Sequence, residues 1–333
     1  MVQVKGIYDS ASKVRSYFER VEVFIGAISG EERYARGFEV LQNCRIQPAT
    51  KVLFYFNEVL STKTTPTESD FDNAFKVQPS DLKLKVDLYD EIGGLLEFKK
   101  YLVANYDKFE HKNIIVDFSV MVKPYFFLLI KHLSTITTNR IGFIYTEPET
   151  YSNLTKGTVD TKDMPSYSGK RTPRKKDALA ILLGFEGNRA VAINNEINPD
   201  LTIPINGFPA YQPIFKDISI LNNRELLIDE EIFKNLTYAP ALDPFETRDV
   251  LEDIYYEHIQ KYNFSIAPLG TKPMSLGSCF FAIEHPDCRI IYQYPQEYLP
   301  KASKGWRNSW LYVTEFIIES RDTAICSTDL NKS

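Results

Sequence analysis

Three stretches of this chain carry side chains suited to holding an anion or moving a proton. In "APLGTKPMS", residues 267–275, an apolar run ends at Pro268, Gly270 permits backbone conformations that a side chain forbids, and Thr271 is placed to cap a helix opened by Lys272 and Pro273. Such a helix start leaves amides pointing outward beside a positive charge, with Ser275 one turn further in. That suits a phosphate, and it equally suits a plain capped helix. If phosphate binds there, Lys272→Ala weakens ligand binding with little loss of fold. In "VDFSVMVKPY", Asp117 closes an apolar run, Ser119 follows in the turn and Lys123 opens a helix. An Asp at that place can accept a ribose hydroxyl, bind a metal, act as a base or cap the helix. "SGEERY" supplies Ser29, Glu31, Glu32 and Arg33, and "GFEGNRA" supplies Glu186, Asn188 and Arg189. A carboxylate pair with separated pKa values would serve hydrolysis, although acidic residues in a first helical turn also answer the dipole alone. Glu31, Glu32 and Asp117 are therefore the candidate catalytic groups.

The elements that must position these residues repeat. "IYTEPETY" (144–151) returns as "IYQYPQEY" (291–298), and each follows a helix opened by Lys-Pro, at Lys123 and Lys272. Tyr145 and Tyr292 fall at strand ends, where an aromatic face can stack on a base or simply pack a turn. Apolar runs at 21–28, 51–58, 113–120 and 140–146 alternate with helical spacing, the pattern of a parallel sheet covered on both faces. After residue 177 the order restarts: "ALAILLGFEGNRAVAINNEI" lies over the first strand, turn and helix, with Arg189 on Arg33, and "LTIPINGF" takes the place of "KVLFYFNE". The reading is an α/β chain of two Rossmann-like parallel-sheet halves related by internal duplication, residues 1–151 and 178–333, joined by a basic linker at 152–177. Residues 61–81 read as a polar surface excursion, and Trp306 and Trp310 as leading into an edge strand.

Composition narrows the function. A net charge of −5 and a pI near 5.6 leave no global basic field for a duplex, so nucleic acid would have to contact the seven Lys and Arg of the linker. Cys44, Cys279, Cys288 and Cys326 are scattered, with no C-x-x-C pair, which points to a reducing compartment and no zinc site. No metal site follows from the spacing of the histidines, and no cofactor is identified. The longest apolar stretch, "PYFFLLI", is too short to cross a bilayer and the first residues are charged throughout, so a cytoplasmic location is expected. G-x-G-x-x-G, G-x-S-x-G and the Walker pattern are absent.

"IAPLGTKPMSLG" resembles the strand–helix junction of CRISPR-associated Rossmann-fold (CARF) sensor domains. The train "FIGAISGEERY", "VDFSV", "IYTEPETY" and "PLGTK" is similar to uncharacterised Rossmann-like proteins of bacterial antiviral defence loci. The first resemblance implies a cyclic oligonucleotide bound across a dyad, with Gly270, Thr271 and Lys272 facing Ser119 and Lys123. No appended nuclease domain is expected, and the first half lacks the Gly-Thr pair. Three functions stay open. One is a nucleotide or phosphorylated-ligand binding component of a defence or stress complex, with a protein partner from that system or a second copy. The others are a nucleotide-cleaving enzyme and a non-catalytic interaction subunit.

Overall fold

The continuous apolar runs become the inner strands of two separate sheets. The computed structural model describes residues 2–57, 66–87, 90–136, 140–151, 155–157, 160–299 and 303–318. The first half holds β1 (Val2–Ser10), β2 (Val23–Ala27), β3 (Thr50–Phe56), β4 (Leu82–Val86), β5 (Asn113–Asp117) and β6 (Arg140–Thr146). Three short strands follow, β7 (Thr150–Tyr151), β8 (Thr155–Lys156) and β9 (Asp160–Asp163). The second half holds β10 (Lys176–Leu182), β11 (Leu201–Gly207), β12 (Thr237–Ala239), β13 (Tyr262–Pro268) and β14 (Arg289–Tyr294). The chain then forms β15 (Glu297–Tyr298), β16 (Ser303–Lys304) and β17 (Ser309–Ile318). Besides single turns, the helices are α1 (Arg36–Asn43), α2 (Glu68–Phe75), α3 (Glu91–Ala104), α4 (Lys123–Leu133), α5 (Gly187–Ile197), α6 (Pro213–Asn222), α7 (Pro244–His258) and α8 (Lys272–Glu284).

The first sheet runs β1-β17-β6-β5-β2-β3-β4 and the second β12-β11-β10-β13-β14-β9. Within each, the neighbouring strands from β6 to β4 and from β12 to β14 are parallel. Numbered along each half, both parallel sets have the order three-two-one-four-five, with the order of strand addition reversing between β2 and β5 and between β10 and β13. In doubly wound α/β sheets such reversal points open a crevice at the strands' carboxyl ends. The expected mixed α/β, parallel-sheet fold is therefore present in both halves.

The sixth strand of the first sheet crosses from the other half, and that of the second comes from the stretch between the halves. β9 lies antiparallel on β14, with Thr161 opposite Gln293, while β17 lies antiparallel on β6, with Ser309 opposite Thr146. Thr146 and Gln293 each follow the repeated Ile-Tyr. The short strands are exchanged in the same way: β7 pairs with β16, placing Tyr151 opposite Ser303, and β8 with β15, placing Tyr298 opposite Thr155. Sheet membership thus differs from the contiguous 1–151 and 178–333 division, because ladder hydrogen bonds join residues far apart in sequence. One apolar core passes beneath both sheets. α4 packs on α8, Phe143 meets Phe280 at 5.8 Å, and Tyr167 Oη donates to the Phe127 carbonyl at 2.9 Å.

Several local expectations change. The stretch expected as a linker contributes β8 and β9, and its cations are partly matched: Lys162 pairs with Asp160 at 2.8 Å, Arg171 with Asp177, and Lys175 Nζ donates to the Ile259 carbonyl at 2.5 Å. Residues 152–154 and 158–159 of that stretch, 61–65 of the excursion and 319–333, with Cys326, lie outside the described residues. The rest of the excursion is not mere surface loop. Thr67 and Asp70 form a reciprocal cap on α2, whose Phe71 and Phe75 are buried. β17 is not an edge strand, because β1 pairs along its whole length and takes the edge. Among the described residues no helix is long and apolar enough to cross a membrane, and no cluster of His, Cys, Asp and Glu could hold a metal ion.

Candidate functional site

The carboxyl ends of the parallel strands from both sheets face one cavity of about 220 Å³. Ile28 and Ser29 follow β2, Val120 and Val122 follow β5, and Tyr145 ends β6. From the other half come Leu183 and Gly184 after β10, Asn206 on β11, Gly270 after β13 and Tyr292 on β14. Four cationic side chains line it, Arg33, Lys123, Arg189 and Lys272, against two carboxylates, Glu31 and Glu186. Tyr151, Phe185 and Phe215 form an edge-to-face aromatic wall, with ring centroids 5.3–6.0 Å apart.

Each arginine is the centre of the same arrangement. Arg33 donates through Nε and Nη2 to Glu31 at 3.2 and 3.1 Å and through Nη1 to the Thr146 carbonyl at 2.6 Å, with its guanidinium 5.6 Å from the Tyr145 ring centre. Arg189 donates to Glu186 at 3.0 Å and to the Gln293 carbonyl, 5.1 Å from the Tyr292 ring centre. The exchanged short strands latch both carboxylates: Ser303 Oγ donates to Glu31, and Thr155 Oγ1 to Glu186. Gly305 and Gly157, at φ +61° and +64°, pass so close to Glu149 and Gln296 that a Cβ would lie 2.5 and 2.6 Å from their side-chain oxygens.

Burial alone would raise the Glu31 carboxyl, but the Arg33 and Lys272 charges and the Ser303 and Arg33 hydrogen bonds outweigh it and hold it below the usual carboxylate range. Because the folded value lies below the unfolded one of about 4.3, Glu31 contributes stability above that pH and loses it as pH falls through the folded value. Urea unfolding at pH 7 and at pH 4 is expected to show a smaller acid loss in Glu31→Gln than in the parent. An equal or larger loss in the variant would contradict the pairing.

The two Lys-Pro lysines reach across to the opposite half. Lys272 Nζ donates to the carbonyls of Phe118, Ser119 and Met121 at 3.3, 2.8 and 2.7 Å. Lys123 Nζ donates to those of Pro268 and Gly270 at 2.5 and 2.7 Å. Burial, then the Arg33 charge, lowers Lys272 to about 7, opposed by Glu31 and Asp117. Burial, then Arg189 and Lys272, holds Lys123 well below the ordinary ammonium value, opposed by Glu186. Three acceptors use all three N–H bonds of an ammonium. Lys272 thus braces the two halves from within the cavity wall, so its loss is expected to cost stability as well as any ligand contact.

The remaining candidates are placed as follows. Thr271 caps α8, accepting from Met274 N at 3.3 Å, and donates to the Ala241 carbonyl at 2.6 Å. Gly270 does not have a positive φ; its place is set by crowding, since a Cβ would lie 3.2 Å from Met274 Sδ and 3.3 Å from the Leu183 carbonyl. Ser275 is buried within α8, donating to the Thr271 carbonyl at 2.9 Å, and is not in the cavity wall. Asp117 is buried behind the wall, accepting from Gly37 N at 2.9 Å, Ser119 N at 3.0 Å and Ser119 Oγ at 2.5 Å. It ties α1 to the turn after β5, and Ser119 Oγ in turn accepts from Thr146 N at 2.8 Å. Glu32 accepts from Gly305 N at 3.1 Å and lies outside the cavity wall. Of the three acids only Glu31 is in the cavity wall.

Sequence reading missed Asn206, Tyr211 and Phe215 in the wall. Asn206 is fully buried, its Nδ2 donating to the Lys216 carbonyl at 3.2 Å while its Oδ1 has no partner. The signal available was "YQPIF", an aromatic pair around the first-turn proline of α6.

No protein-family model matches the chain, and a search of curated proteins finds no match. Among solved structures it is similar to a cyclopropane-fatty-acyl-phospholipid synthase-like protein from Lactobacillus casei, at 8% identity and a TM-score of 0.26, covering 91% of this chain and 88% of that one. A TM-score of that size adds nothing to the topology described above.

Proposed function

We propose that this chain binds a nucleotide or a comparably small phosphorylated ligand in the cavity between its two halves. One observation carries the reading: the carboxyl ends of both parallel sheets converge on a single cavity lined by four basic side chains and two carboxylates, with aromatic faces forming one wall. Strand carboxyl ends and helix starts are where α/β folds place anionic ligands. An apolar cavity of about 150 Å³ takes one benzene. A cavity of about 220 Å³ is therefore sized for a small ligand or one part of a nucleotide, and not for the whole cyclic oligonucleotide implied by the sensor-domain resemblance. The repeated arrangement around Arg33 and Arg189 and the exchanged strands support an ancestral duplication as the origin of the site. Cleavage of the ligand is the weaker reading, because only one of the acidic candidates, Glu31, lines the cavity.

Calorimetric titration with nucleoside monophosphates and inorganic phosphate tests the binding. At least one nucleotide is expected to bind more tightly than phosphate alone. Phe215→Ala, which removes part of the aromatic wall, is expected to weaken it about tenfold, within the roughly 1–3 kcal/mol of a base–aromatic stack. No binding by any nucleotide, or equal binding by nucleotide and phosphate, would set the reading aside.

A further inference from the structure

Among the strands that end the two large sheets, β1 is the long one with an open stretch. β9 and β12 are short, at four and three residues, and β4 carries Lys83 and Lys85, charges of the kind that discourage a further strand. β1 runs nine residues, and β17 takes only one of its two sides. Val4 shows which groups face the other side: its N–H donates to Glu284 Oε1 at 2.7 Å and its carbonyl accepts from Arg248. Backbone groups alternate in direction along an antiparallel strand, so those of Gly6, Tyr8 and Ser10 face outward with Val4. The Ser10 N–H is already held by Asp9 Oδ1 at 2.7 Å. Between these two stops, the outward N–H and carbonyl groups of Gly6 and Tyr8 have no partner among the described residues. Both residues are exposed, and since Gly6 has no side chain, its exposed surface is backbone.

We infer that two copies of this chain associate by pairing β1 antiparallel on β1, across a dyad at Ile7. The register follows from the free groups. Gly6 opposite the partner's Tyr8, and Tyr8 opposite the partner's Gly6, form two hydrogen-bonded pairs that use every one of them. A slip to the next in-phase register in either direction needs Val4 freed from Glu284 and Arg248, or Ser10 freed from Asp9. The register chosen in this way sets Ile7 against the partner's Ile7, and Lys5 against the partner's Asp9 twice by symmetry. Ile7 is 53% exposed, and the Lys5 ammonium enters no ion pair among the described residues. Asp9 already accepts from Lys13 and Tyr17, so the added cation is a second partner whose main effect is to favour this register over one that opposes like charges. So short a ladder is small beside stable interfaces of about 1,200–2,000 Å², and the association is therefore reversible. Nothing in it depends on what the cavity binds.

The test traps the pair in the whole chain. At a non-hydrogen-bonded antiparallel position the two Cα atoms lie about 4.5 Å apart, within the roughly 4.4–6.8 Å span of a disulfide. Ile7→Cys under mild oxidation is expected to give a disulfide-linked dimer joined at position 7, beyond anything the parent chain forms through its own cysteines. Lys5→Cys is expected to give none, because its counterpart lies roughly 14 Å away along the strand. Sedimentation of the parent is expected to show an average mass that rises with concentration. Ile7→Lys, which sets two ammonium groups against each other, is expected to stay monomeric with its urea midpoint unchanged. Absence of a link at position 7 overturns the inference and leaves the edge to a strand of another protein. Equal linking of the two cysteine variants overturns the register, and a parent dimer that Ile7→Lys leaves intact places the contact between copies elsewhere.

Discussion

Lys272→Met is expected to lower the unfolding free energy by about 3 kcal/mol or more, because a buried polar group left without its partner costs about 1–3 kcal/mol. Methionine keeps most of the volume and removes the ammonium that accounts for the carbonyls of Phe118, Ser119 and Met121. Those carbonyls sit in the turn between β5 and α4, so the loss falls on the junction of the halves and not on one helix start. Urea denaturation measures it directly. A midpoint shift worth less than about 0.5 kcal/mol, the range of an ordinary surface substitution, would show that the carbonyls find other partners and that the cross-brace is unimportant.

Arg33→Met is expected to cost about 3–5 kcal/mol, the usual penalty for stranding one member of a buried ion pair. Arg33 is 3% exposed and Glu31 9%, so the carboxylate left behind cannot turn to bulk water without opening the latch made by Ser303. The informative comparison is the double variant Glu31→Gln with Arg33→Met. Removing the stranded charge is expected to restore part of the lost stability, so the double variant should be more stable than Arg33→Met alone. Strict additivity of the two single effects would mean that the residues do not act on each other, and the paired arrangement would then have no energetic content. Arg189 and Glu186 are arranged in the same way and should respond in the same direction.

Much of the fold is legible along the chain because its signals are local. Continuous apolar runs marked β2, β3, β5 and β6 as strands buried on both faces, as their burial confirms. Thr271 ahead of Lys272-Pro273 marked the start of α8, and its side chain is the cap. The Phe71 and Phe75 face of α2 was missed because Thr, Ser, Asp and Asn dominate that window and hide two well-spaced aromatics among turn-formers. Arg33, Arg189, Lys123, Lys272, Tyr145 and Tyr292 do share one cavity, whereas Ser119, Ser275, Asp117 and Glu32 lie outside its wall.

By itself the sequence determined the inner strands of both halves and the helix starts at Lys123 and Lys272, that their order occurs twice, and that matching residues stand at matching strand ends. Periodicity and capping act over a few residues, so each half states them alone. Only the tertiary structure decided that β9 joins the second sheet and β17 the first, that Ser303 and Thr155 latch Glu31 and Glu186, and that one lysine meets three carbonyls where its counterpart meets two. Those contacts join positions more than a hundred residues apart in most cases, and their number depends on how two packed bodies meet, which no local pattern records.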